Sequence, residues 1–150
     1  MAAVVVLVAA LVVAVVAGAL YSARNGRFAR RTDTTEDPVS DDRPRLDASE
    51  VGGALGEVAT FVQLSSAFCA PCRATRRLLA DVVTRRPGVV ALEVDAESHL
   101  ELVRRLDVLR TPTVLLLDAD GVLITRSSGL PRRDDVERLL DAVGAPAADR

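Results

Sequence analysis

The chain opens on an uninterrupted apolar run, Ala2 to Leu20, and no charged residue occurs before Arg24. That run is close to the roughly 20 apolar residues a helix needs to cross a bilayer, so residues 1–23 are expected to form one transmembrane anchor. The polar, Asp-, Thr-, Ser-, Pro- and Arg-rich stretch that follows cannot bury enough surface to fold alone, and residues 24–45 are expected to be a flexible linker. Between Leu46 and Glu57 scattered Leu and Val alternate with Gly52, Gly53 and Gly56, a pattern that allows a short edge strand and opposes a long helix. Regular patterning begins at Val58. Residues Val58 to Leu64 read as a buried strand, Cys72 to Val83 as a helix with Leu78, Leu79, Val82 and Val83 inward, and Val89 to Val94 as a second strand after Pro87-Gly88. Glu97 to Leu106 repeats the helical pattern. Thr113 to Leu117 and Val122 to Arg126 read as strands joined through Asp118-Ala119-Asp120-Gly121, where the Asp-Gly pair suits a hairpin. Asp134 to Val143 closes as an amphipathic helix with Val136, Leu139, Leu140 and Val143 on one face and Gly144 just beyond it. The order strand, helix, strand, helix, hairpin, helix predicts an α/β domain over 46–144, a central mixed sheet flanked by helices, with 145–150 as a disordered tail.

Composition narrows the chemistry. The formal net charge of −2 gives no basic footprint for DNA or RNA, so nucleic acid is not expected as a partner. All basic residues are arginine, which reads as a composition bias of the genome. Arg24, Arg27, Arg30 and Arg31 follow the apolar run, with Tyr21 at an interface position, so the positive-inside rule places the bulk of a single-pass membrane protein in the cytoplasm. An extracytoplasmic domain is the competing placement, and a cleaved signal peptide the competing reading of the run. Trp is absent and aromatics are few, so the core is expected to be aliphatic.

The two cysteines of the chain stand together in Phe68-Cys69-Ala70-Pro71-Cys72, at a strand-to-helix junction. With a single histidine, His99, they cannot make a four-ligand zinc site within one chain, and two cysteines cannot build a disulfide-dense scaffold, so a redox pair remains. Cys69, at or just before a helix start, faces unsatisfied backbone N–H groups and the positive end of the helix dipole, which favour thiolate and make it the nucleophile. Cys72, one turn in, is less exposed and suits the resolving thiol. Pro71 fits the first helical turn, where a missing N–H costs nothing.

With Pro71 inside the cysteine motif and Thr111-Pro112 about forty residues on, just ahead of a strand, residues 58–143 resemble a thioredoxin-fold domain. The resemblance implies that the Thr111-Pro112 bond is cis and packs against the cysteine pair, and that Gly129 lines the same groove. Thr111, Pro112, Gly129 and Phe68 are then expected to bind substrate, with Ala70 and Pro71 shaping the motif. The chain departs from the family where thioredoxin carries a buried acid six residues before the first cysteine: here stands Gln63. Phe68 replaces a tryptophan, Ala70 a glycine, and Ser65 another aromatic. Arg73 keeps a positive charge near the pair, whereas Arg76 and Arg77 read as solvated helix residues. His99 reads as a surface residue and Asp118 with Asp120 as turn formers.

These features together predict a membrane-tethered thiol–disulfide oxidoreductase that acts on protein disulfides or dithiols and exchanges electrons with an unidentified donor or acceptor. Neither a metal nor an organic cofactor is required. The alternative is a non-enzymatic module binding a client protein or a soft metal through the two thiols; a peroxide-reducing relative ranks below it because no separate peroxidatic cysteine is present.

Overall fold

The computed structural model describes residues 2–24, Phe28 and residues 43–144, the side chains of 3 and 21–24 excepted. Helix α1 covers Ala2–Arg24, and its described side chains are exposed. Among the described residues no helix is long and apolar enough to cross a membrane. The transmembrane anchor expected over 1–23 is thus not supported by α1. Arg27, Arg30 and Arg31, most of the expected linker, and the tail at 145–150 lie outside the described residues.

Within the linker segment, Phe28 makes an isolated antiparallel bridge with Ser127 and packs against the core, and Arg45 makes another with Val122. No strand forms in the 46–57 region. Its place is taken by the single turn α2 (Ala48–Val51), because Asp47 accepts from the N–H groups of Ser49 and Glu50 while the Glu50 carboxylate accepts from the N–H of Asp47. This reciprocal cap satisfies donors that a helix end otherwise leaves bare. Gly52 ends the turn in the left-handed region, at φ 72°.

The rest follows the predicted order with shifted bounds. Strand β1 is Ala59–Ser65, α3 Ala70–Val83, β2 Val89–Asp95, α4 Leu100–Arg105, β3 Thr113–Asp118, β4 Leu123–Ser128 and α5 Arg133–Ala142. Helix α4 starts later than the predicted Glu97 because the Asp95 carboxylate accepts from the Glu97 N–H and the Ser98 hydroxyl, holding 95–98 in a turn. Strand β4 starts one residue late: Val122 belongs to the hairpin turn, where the Asp118 carboxylate accepts from the N–H groups of Asp120 and Val122.

The sheet order is β2-β1-β3-β4, with β1 parallel to β2 and antiparallel to β3, and β3 antiparallel to β4. Both faces are covered. Alternate residues of β1 separate cleanly: Ala59 and Phe61 join Leu79 and Val82 of α3 and Val136 and Leu140 of α5 on one face. Val62 and Leu64 join Leu102, Leu106, Val51 and Leu46 on the other. The period of two along a strand buried on both faces is what lets one strand serve two cores. Strand β1 therefore lies in the middle of the molecule, and its end delivers the chain directly to the cysteines.

Candidate redox-active site

Strand β1 ends at Ser65, and four residues later Cys69 is the N-cap of α3. Its backbone is extended (φ −102°, ψ 99°), and its sulfur accepts the N–H of Cys72 at 3.1 Å. A sulfur thus occupies the place that a serine or aspartate oxygen takes at most helix starts. Pro71 lies in the first turn, so its missing donor leaves no bond unmade. This explains why α3 begins at Ala70, two residues before the predicted Cys72.

Cys69 and Cys72 are joined as a disulfide, with Cα atoms 5.2 Å apart. Cys69 is half-buried and Cys72 is 2% exposed, so only one sulfur can be reached from outside. Thiol attack on such a bond goes to the accessible sulfur and expels the inner one. Phe68, at 100% exposure, stands beside it as a bare aromatic side chain.

Two further loops meet this one. The Thr111-Pro112 peptide bond is cis. The Thr111 hydroxyl lies 3.0 Å from that of Ser66, which ties this loop to the chain between β1 and the cysteines. The Gly129 N–H donates to the Pro112 carbonyl at 2.7 Å, and Gly129 has φ 92°, a left-handed value that a side chain resists. The Ser66–Thr111 contact thus ties the loop of Thr111 and Pro112, and through it Gly129, to the segment that leads into Phe68, Cys69, Ala70, Pro71 and Cys72. Ser66 was not anticipated; hydroxyl pairing between loops far apart in the chain leaves no local signal.

Behind the cysteines, Gln63 faces α3 from β1. Its side-chain Nε2 donates to the Cys72 carbonyl at 3.0 Å and lies 3.4 Å from Oε1 of Glu93, its register partner on β2. Arg76 of α3 binds Glu93 through two nitrogens, Nη2 at 2.6 Å from Oε1 and Nε at 2.5 Å from Oε2. Arg76 is exposed, as its helix position suggested, and is an ion-pair partner as well. Arg73 and Arg77 are exposed. So is His99, whose Nδ1 lies 2.9 Å from the Asp95 carbonyl.

The Arg76 guanidinium, with help from the Ser65 hydroxyl, holds the Glu93 carboxyl below its ordinary value of 4.5 against the opposing pull of burial. A carboxyl depressed in the folded state adds stability above pH 4.5 that is lost as pH falls through the folded value. The urea midpoints of wild type and Glu93→Gln are expected to differ at pH 7 and to converge as the pH drops below 4.5. A gap that stays constant over that range would exclude the ion pair as its source.

Comparison with known proteins agrees with this geometry. No family model matches the chain. Over 89 residues it is 31% identical to a thioredoxin H-type of Oryza sativa subsp. indica, covering 59% of this chain and 71% of that protein. Its fold resembles the spinach chloroplast thioredoxin F, with a TM-score of 0.52 at 18% identity over 60% of this chain and 80% of that one. It also resembles the oxidised mitochondrial thioredoxin 3 of Saccharomyces cerevisiae, with a TM-score of 0.50 at 20% identity over 57% and 79%. At those identities the two structures speak for the fold. Taken with the cysteine pair at the start of α3 and the identity across most of a curated thioredoxin, they establish that the chain belongs to the thioredoxin family.

Proposed function

We propose that this thiol–disulfide oxidoreductase works on protein disulfides through Cys69 as nucleophile and Cys72 as resolving thiol, tethered to a membrane by residues 1–23. The observation that carries the chemistry is the arrangement at the start of α3: a reachable Cys69 sulfur capped by the Cys72 N–H, bonded to a buried Cys72. In the dithiol the same N–H and the helix dipole stabilise a Cys69 thiolate. That thiolate attacks one sulfur of a substrate disulfide and expels the other as substrate thiolate. Cys72, having lost its proton to solvent, attacks the Cys69 sulfur, releases the second substrate thiolate and closes the Cys69–Cys72 bond. The substrate lies as an extended segment along Thr111, Pro112 and Gly129, with Phe68 against its apolar side chains.

Support for the tether comes from the sequence, where Ala2 to Leu20 is apolar on every side, leaving no polar face to turn toward water. Phe28 pairs with Ser127 only four residues after Arg24, at most ~14 Å of extended chain. A membrane-bound α1 would thus keep the domain close to the bilayer. The arginines after the run favour a cytoplasmic domain.

Two measurements test this reading. Wild type is expected to catalyse dithiothreitol-driven reduction of insulin disulfides, and no catalysis would remove the oxidoreductase assignment. For placement, Cys69 in intact cells under reducing conditions is expected to escape a membrane-impermeant thiol reagent until lysis. Labelling before lysis would put the domain outside.

A further inference from the structure

Gln63 stands where no other member of the site has a comparable constraint: it is 1% exposed, and its amide has one atom bonded and one bare. Nε2 points at two acceptors, the Cys72 carbonyl at 3.0 Å and Glu93 Oε1 at 3.4 Å. Turning the amide over would set its oxygen against both, and Glu93 is held in place by Arg76. The orientation is therefore fixed, and Oε1 is left as the unpartnered atom. No donor among the described residues reaches it. A buried acceptor without a donor is destabilising, and the penalty belongs to the disulfide state, which is the state described here.

Reduction changes one thing in this buried region: it creates a thiol on Cys72, the residue whose carbonyl Gln63 already holds. We propose that Gln63 Oε1 accepts the S–H of Cys72 in the dithiol, so that Gln63 stabilises the reduced protein relative to the disulfide and raises its reduction potential. This rests on the oxidoreductase reading above and adds to it a direction: Gln63 makes the dithiol a weaker reductant than the cysteine motif alone would set. The bond from Nε2 to the Cys72 carbonyl is present in the disulfide and involves no atom that reduction alters, so it is expected to contribute little to the redox difference. Oε1 carries the effect.

The test is the equilibrium with glutathione, in which two glutathione thiols reduce the Cys69–Cys72 bond and leave as glutathione disulfide, both redox forms of the protein being trapped by alkylation. Gln63→Leu and Gln63→Met, which fill similar volume without an oxygen, are expected to shift the equilibrium about tenfold toward the protein disulfide, ~30 mV more negative for this two-electron couple. An unchanged constant, or a shift toward the dithiol, would overturn the proposal. Should both variants fail to fold, the infrared S–H stretch of Cys72 decides, recorded in Cys69→Ser so that it is the only thiol. A band lowered from that of a free thiol supports the bond to Oε1, and an unshifted band overturns it. Exchange with glutathione at an unchanged constant removes this proposal alone, whereas absence of any exchange in wild type removes the oxidoreductase reading itself.

Discussion

Cys69→Ser is expected to lower the rate of insulin-disulfide reduction at least about a thousandfold, to the uncatalysed background. The argument is geometric. Cys72 is buried beneath the start of α3, so when Cys69 is lost the remaining sulfur cannot meet a protein disulfide. A serine hydroxyl at 69 can still accept the Cys72 N–H and cap the helix. Against the reduced wild type, which likewise lacks the Cys69–Cys72 bond, stability should therefore change little while activity disappears, which separates chemistry from folding. Cys72→Ser is expected to fail differently. Cys69 still attacks, no inner thiol resolves the product, and a mixed disulfide with substrate accumulates, visible as a reducible adduct on non-reducing electrophoresis. A Cys72→Ser protein that turns over as fast as wild type would show that resolution comes from elsewhere.

Phe61→Ala is expected to cost about 3–5 kcal/mol, measured as a fall in the urea midpoint at unchanged slope. Phe61 is the largest fully buried side chain, at the centre of β1, and packs in the core that joins the sheet to α3 and α5. A domain of this size has about 5–15 kcal/mol in total, so the variant should be close to its unfolding threshold. The contrasting position is Phe68. It is the same residue type seven positions on, fully exposed, and Phe68→Ala should leave stability within about 0.5 kcal/mol of wild type. Equal losses at the two positions would contradict the burial pattern.

Much of this architecture was legible beforehand because it rests on short-range signals. The apolar run from Val58, the amphipathic repeats at Leu79–Val82 and Val136–Leu140, and the Asp118–Gly121 turn each lie within one element, and each appears close to its expected place. Boundaries moved where side chains compete for backbone donors. Asp47 with Glu50 made a helical turn where a strand was admissible, and Asp95 delayed α4. Such caps are visible once known, but several polar residues nearby could have played the part.

By itself the sequence determined the redox pair and its asymmetry, since a cysteine at a helix start and another one turn later differ in exposure and in their view of the helix dipole wherever that helix packs. Only the tertiary structure decided what stands behind Cys72. Gln63, Arg76 and Glu93 lie on a strand, a helix and a second strand, and each alone reads as an isolated departure or a surface charge. Parallel pairing of β1 with β2 sets Gln63 beside Glu93, and the packing of α3 over that face brings Arg76 and the Cys72 carbonyl to them. The physical reason is that helix starts and turns are fixed by neighbours in the chain, whereas register and packing are fixed by the whole core.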